Sequence, residues 1–122
     1  MDSIIATIKS GDTGAQVANL QDALLLLLEH GSIRALDAPN RPTLQDLRTL
    51  TDGVNQGRKQ SQFNDATVRL VEYFQVQQGL GDALRGIVET ATATKINELL
   101  TALGAIENAK SRHSVVRDRT LK

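Results

Sequence analysis

Apolar positions recur along the chain with helical spacing in four places. Val17, Leu20, Leu24 and Leu27 step by three, four and three, which predicts a helix from about Gly14 to Glu29. Leu25, Leu26 and Leu28 widen its apolar surface, so this helix is expected to pack on more than one side or to meet a partner. Gly31 reads as its C-terminal stop, with His30 beside the negative end of the dipole. Thr43 and Asp46 form a capping-box pair ahead of Leu44, Leu47, Leu50 and Val54, a narrow stripe on a second helix. Gly53 and Gly57 each cost a helix about 1 kcal/mol relative to Ala, so fraying is expected there. A third helix is predicted from Asn64 or Asp65 to before Gly79, with Leu70, Val71, Phe74 and Gln78 near one side. A fourth runs from about Thr90 to before Gly104, with Ile96, Leu99, Leu100 and Leu103 inward. Strand signals are nearly absent, and Ile4-Ile5-Ala6-Thr7-Ile8 reads as short extended structure or a packed N-terminal strap.

Between the second and fourth helices the sequence repeats. Phe63-Asn64-Asp65-Ala66-Thr67, followed by Val71 and Phe74, is matched by Val88-Glu89-Thr90-Ala91-Thr92, followed by Ile96 and Leu99. Each position in the second copy lies 25 residues after its partner (67 to 92, 71 to 96, 74 to 99), which predicts two equivalent helix starts. Phe63 and Val88 read as hydrophobic staples, and Thr67 and Thr92 as first-turn residues bonding to free amides.

The remaining segments are connections. Ser32 to Pro42 reads as a loop centred on Asp37-Ala38-Pro39-Asn40-Arg41-Pro42, and 79–89 as a turn between the last two helices. Residues 1–106 are read as one helical domain and 107–122 as a polar tail or linker. A chain of 122 residues fits one domain with a modest core.

The ordered residues resemble the peptidoglycan-binding-like module, a small three-helix domain of bacterial cell-wall proteins. The opening pattern is Gly11, Gly14, Val17, Leu20-Gln21 and Leu24; then come Phe63, Asn64, Thr67, Val71, Phe74-Gln75 and Gly79-Leu80; last comes Gly86-Ile87-Val88-Glu89-Thr90-Ala91-Thr92. The chain departs from the family in three ways. Asn64 and Glu89 replace the two glycines of the helix lead-ins, an Asp-Gly pair is missing before Phe63, and the interval from Leu24 to Phe63 is longer than usual. That longer form is similar to versions of the module inside bacterial toxin-complex-like proteins.

The resemblance implies an all-α fold, a three-helix bundle with an additional inserted helix within about residues 32–62. It implies a non-catalytic binding module that tethers a larger bacterial assembly or enzyme to peptidoglycan at the cell envelope. The alternative is a protein–protein docking module of a secreted toxin or injection-type complex without wall affinity. The ligand-binding residues it points to are Gln75, Gln78, Asp82, Arg85 and Glu89, near the end of the third helix and the following turn.

Composition narrows these expectations. Fourteen basic residues balance fourteen acidic ones, so no overall field draws the chain to nucleic acid or an anionic membrane. Arg112, Arg117 and Arg119 are diluted by Asp118 and lack stacking aromatics, the wrong composition for a nucleic-acid face. With no Cys, and with His30 and His113 far apart, neither thiolate chemistry nor a metal centre is expected, and no cofactor is implied. Ser10, Asp12 and His30 carry no spacing that fixes a catalytic geometry, so an enzyme is not expected. The apolar run Ala23–Leu28 is too short to cross a bilayer, and the N-terminal residues do not read as a secretory signal. The location expected is the envelope or a secreted assembly. Of the three aromatics, Phe63 and Phe74 are required in the core, which leaves Tyr73 for any stacking role.

Overall fold

The structure, a computed structural model, describes residues 2–35, 43–80 and 84–106. The described part is all-α: α1 (Ala15–Glu29), α2 (Leu44–Lys59), α3 (Asp65–Gln77) and α4 (Thr90–Ala102). The loop centre at 37–42 and the tail at 107–122 lie outside the described residues. Among the described residues no helix is long and apolar enough to cross a membrane.

α1 is the hub, packing against the other three helices. Val17, Leu20, Leu24 and Leu27 are at most 1% exposed, as the stripe predicts. Leu25, Leu26 and Leu28 are partly buried against the same core. Phe63, Leu70, Val71, Phe74, Val88, Ile96 and Leu100 complete the core from α3, α4 and their lead-ins.

The N-terminal segment is a packed strap. Ile4 and Ile8 are buried, and Ile8 makes an antiparallel bridge with Val88 through two backbone hydrogen bonds of 3.0 and 2.8 Å. A second bridge joins Thr13 to Gln62, with Phe63 N–H donating to Asp12 O. The strap therefore holds both lead-ins of the repeat.

The repeat extends further than the sequence motif. α3 and α4 are both 13 residues long, and their starts (65, 90), ends (77, 102) and following glycines (79, 104) keep the same offset of 25. Each closes with a paired turn: Leu80 N–H donates to Gln75 O and Gly79 N–H to Val76 O, repeated by Ala105 to Leu100 and Gly104 to Thr101. The turn needs a left-handed residue, and Gly79 (φ 73) and Gly104 (φ 77) supply it at little cost. α2 ends in the same pattern, but Ser61 (φ 50) takes the left-handed position.

Three expectations are corrected. α2 runs unbroken through both glycines to Lys59, further than their low helix propensity suggests. The reason is close packing: an ideal Cβ on Gly53 would lie 2.5 Å from Ala66 Cβ, and one on Gly57 2.7 Å from Asn64 Cγ. Leu44 is not part of the buried stripe but 58% exposed at the first turn of α2, whereas Leu47 and Val54 are buried. Leu103 is 40% exposed because α4 ends at Ala102, placing Leu103 at the cap outside the helix.

Candidate binding surface

The residues expected to bind at the end of α3 are placed individually. Gln75 is wholly buried. Its Nε2 donates to Leu84 O, Ile87 O and Thr92 Oγ1, and its Oε1 accepts from Gly86 N–H at 2.9 Å. It offers no surface to a ligand and fixes the 84–87 turn instead. Gln78 is half-buried and donates to Ser32 O at 3.0 Å. Arg85 is exposed, and Asp82 lies outside the described residues.

Glu89 is the N-cap of α4. Its carboxylate accepts from Thr92 N–H at 2.8 Å, from Ala91 N–H at 3.2 Å and from the Thr92 hydroxyl. The Thr92 hydroxyl is the main cause that lowers its pKa from the ordinary glutamate value; burial opposes it, and the backbone amides of Thr92, Ala91 and Glu89 itself each add a smaller lowering. Asn64 caps α3 in the same way, accepting from Thr67 N–H and Oγ1, while its Nδ2 donates to Gly53 O. The two residues that depart from glycine are thus caps that hold their threonines. Thr67 and Thr92 bond to the cap side chains rather than to free amides, and both are wholly buried.

Gln21, on α1, repeats the role that Gln75 has on α3. Its Nε2 donates to Gln62 O at 2.7 Å and Thr67 Oγ1 at 3.1 Å. Its Oε1 is buried without a partner, because no counterpart of the Gly86 amide reaches it. The Leu-Gln and Phe-Gln pairs therefore each bury an apolar residue and pin the start of a later helix.

A larger concavity lies elsewhere. A groove of about 560 Å³ runs between the end of α1, the 31–35 turn and the first half of α2. Leu28, Ile33, Leu44 and Leu47 give it apolar walls. Glu29, Arg34, Arg48 and Asp52 line its margin, and none of the four is ion-paired within 4.0 Å among the described residues.

The turn forming one wall is clamped from α3. Arg34 N–H donates to Gln77 Oε1, Gln77 Nε2 donates to Arg34 O, and Gln78 holds Ser32 O. On the other wall, α2 is fixed by its capping box and by Arg58, whose guanidinium meets Asp22 of α1 at 2.9 and 3.2 Å. That hydrogen-bonded pairing raises the Arg58 pKa further above its ordinary value. The surplus leucines of α1 called for a further neighbour, and α2 is one; the exposure of Leu44 carried no sequence signal.

A smaller hollow of about 290 Å³ lies between α2 and α3, lined by Asp46, Thr49, Leu50, Arg69 and Tyr73. Among the described residues, no three His, Cys, Asp or Glu side chains gather as a metal site.

No family model, curated protein or solved structure matches the chain.

Proposed function

We propose that the chain is a non-catalytic docking module of a larger bacterial assembly, in which the groove beside α2 receives an apolar segment of a partner protein. The observation that carries this reading is the groove with Leu44 exposed at its edge. Its volume falls in the range of about 300–1,000 Å³ usual for binding pockets, and its walls are preformed by hydrogen bonds. A preformed site loses less ordering entropy on binding. Four charged side chains that line the groove, without an ion pair among the described residues, can fix the orientation of an occupant whose apolar side chains fill the centre.

In this reading α1, α3 and α4 are the three-helix core of a peptidoglycan-binding-like module, and α2 is the inserted helix. Support comes from the way the resembling residues are used. The two Gln residues pin the lead-ins, the threonines take the cap side chains, and α3 and α4 repeat one another. Direct attachment to wall peptides through the 79–89 turn is the weaker reading. Gln75 is enclosed, Gln78 is engaged with Ser32, and the Glu89 carboxylate is bound to its own helix.

The test is the size of the native complex in producing cells. Leu44→Asp is expected to shift the chain from a larger complex to the free form on a native gel, while Arg85→Ala leaves it in place. Retention of the Leu44→Asp chain, or release by Arg85→Ala, would overturn the docking reading.

A further inference from the structure

The groove beside α2 carries both halves of an apolar contact on one face. Leu44 stands at the first turn of α2 and is 58% exposed. Beside it lies the cavity of about 560 Å³ walled by Leu28, Ile33 and Leu47. From α2 the lining positions 47, 48 and 51 follow Leu44 by three, four and seven residues, so a single helix face borders the cavity. A two-fold contact uses one patch twice. It therefore requires a patch that holds both a projecting group and a hollow, with charges that match themselves.

The charges of the groove meet that requirement. Glu29 and Asp52 supply two negative charges, and Arg34 and Arg48 two positive ones. All four side chains are exposed, and none is ion-paired within 4.0 Å among the described residues. A margin of one sign selects an oppositely charged partner and repels its own copy. A margin with two charges of each sign lets a copy turned by a half-turn set cations against anions. The rest of the chain does not oppose the approach. Fourteen basic residues balance fourteen acidic ones, so two copies meet without net repulsion.

We propose that the occupant of the groove is a second copy of this chain, in a two-fold dimer in which each Leu44 enters the other copy's groove and the four charges pair across the axis. This rests on the docking reading and names the partner. The contact involves only the end of α1, the 31–35 turn and the first half of α2. A patch of that extent implies a weak dimer, with Kd on the order of 100 μM.

The full chain, purified alone, is followed by sedimentation equilibrium from about 10 μM to about 1 mM, a span that brackets this Kd. Its mass is expected to rise from 13.2 kDa towards twice that value. Leu44→Asp is expected to remain a single chain throughout with an unchanged melting temperature, because an acidic residue in the first turn suits the helix dipole. Two further variants read the charge pairing. Arg34→Glu with Arg48→Glu makes the four charges all negative, and Glu29→Arg with Asp52→Arg makes them all positive. Each variant alone is expected to self-associate about tenfold more weakly or worse, and the two mixed in equal amounts to recover a complex of two chains.

A purified chain that stays at 13.2 kDa over the whole range would overturn the second-copy proposal. The docking reading would then stand or fall on its own test, the native complex of Leu44→Asp in producing cells, with a different protein in the groove. A dimer that persists in Leu44→Asp would lie on another face and would overturn the proposal too. So would charge variants that fail to associate when mixed.

Discussion

Four buried polar side chains, Gln21, Thr67, Gln75 and Thr92, carry much of the specification of this small core. A buried amide is stabilising only when its partners are present, and each orphaned group costs about 1–3 kcal/mol. Gln75 serves three carbonyl or hydroxyl acceptors and one amide donor, whereas Gln21 serves two acceptors and has an unpaired oxygen. Gln75→Leu is therefore expected to destabilise the fold by about 3 kcal/mol, and Gln21→Leu by about 1 kcal/mol less, in paired urea titrations. Equal losses would show that the unpaired oxygen costs nothing. Glu89 gives a pH dependence. Its folded pKa is lowered, so its stabilisation is fully present above the ordinary Glu pKa and is withdrawn as pH falls through the lower folded value. Glu89→Gln should cost about 1 kcal/mol at neutral pH and flatten the acid side of the stability profile. An unchanged acid limb would remove this role. In the sequence Glu89 stood out as a substituted glycine and as a candidate ligand-binding residue. Its capping role needed the Thr92 amide three residues on, a pairing the motif contained but did not identify.

At the level of elements, the helices were legible because apolar spacing and caps agree, as with Thr43 and Asp46 ahead of Leu47 and Val54. The glycines of α2 were misread because propensity is a local property and their role is tertiary. Exposed in a helix, Gly53→Ala gains about 1 kcal/mol. Here the added Cβ meets that of Ala66 at 2.5 Å, so overpacking wins and a net loss of about 2 kcal/mol is expected by thermal unfolding. A gain would mean that α2 and α3 move apart freely. The opposite sign applies at the end of the same helix. Ser61 holds a left-handed conformation (φ 50) that glycine adopts readily, so Ser61→Gly should stabilise by about 0.5–1 kcal/mol. Calorimetry showing a lower melting temperature for this variant would contradict that reading. The repeat of α3 and α4 was visible as Phe-Asn-Asp-Ala-Thr and Val-Glu-Thr-Ala-Thr, and Gly79 and Gly104 marked the matching helix ends, which the structure places at Gln77 and Ala102.

Across the whole molecule, the strap, the two lead-ins and the glutamine contacts tie α1, α3 and α4 into one unit, and α2 closes against α1 and α3. The surplus leucines of α1 foretold a neighbour for that helix, and Leu47 supplies part of it. Truncation to Ala at Leu47, which is 5% exposed, should cost about 2–4 kcal/mol, and an unchanged melting temperature would make α2 an appendage. The binding surface was less legible. Sequence motifs mark positions that shape the backbone, and several marked residues at the 79–89 turn are used internally, Gln75 and Glu89 above all. The groove depends on where the 31–35 turn is clamped, through contacts 43 and 46 residues apart in sequence. The account's central claim is that partner binding lies along α2 and not at that turn. Photo-activated cross-linking in producing cells, with the reactive side chain placed at position 44 or at position 85, tests it directly. The expected result is a covalent adduct with another protein from position 44 and none from position 85; an adduct from position 85 alone would contradict the account.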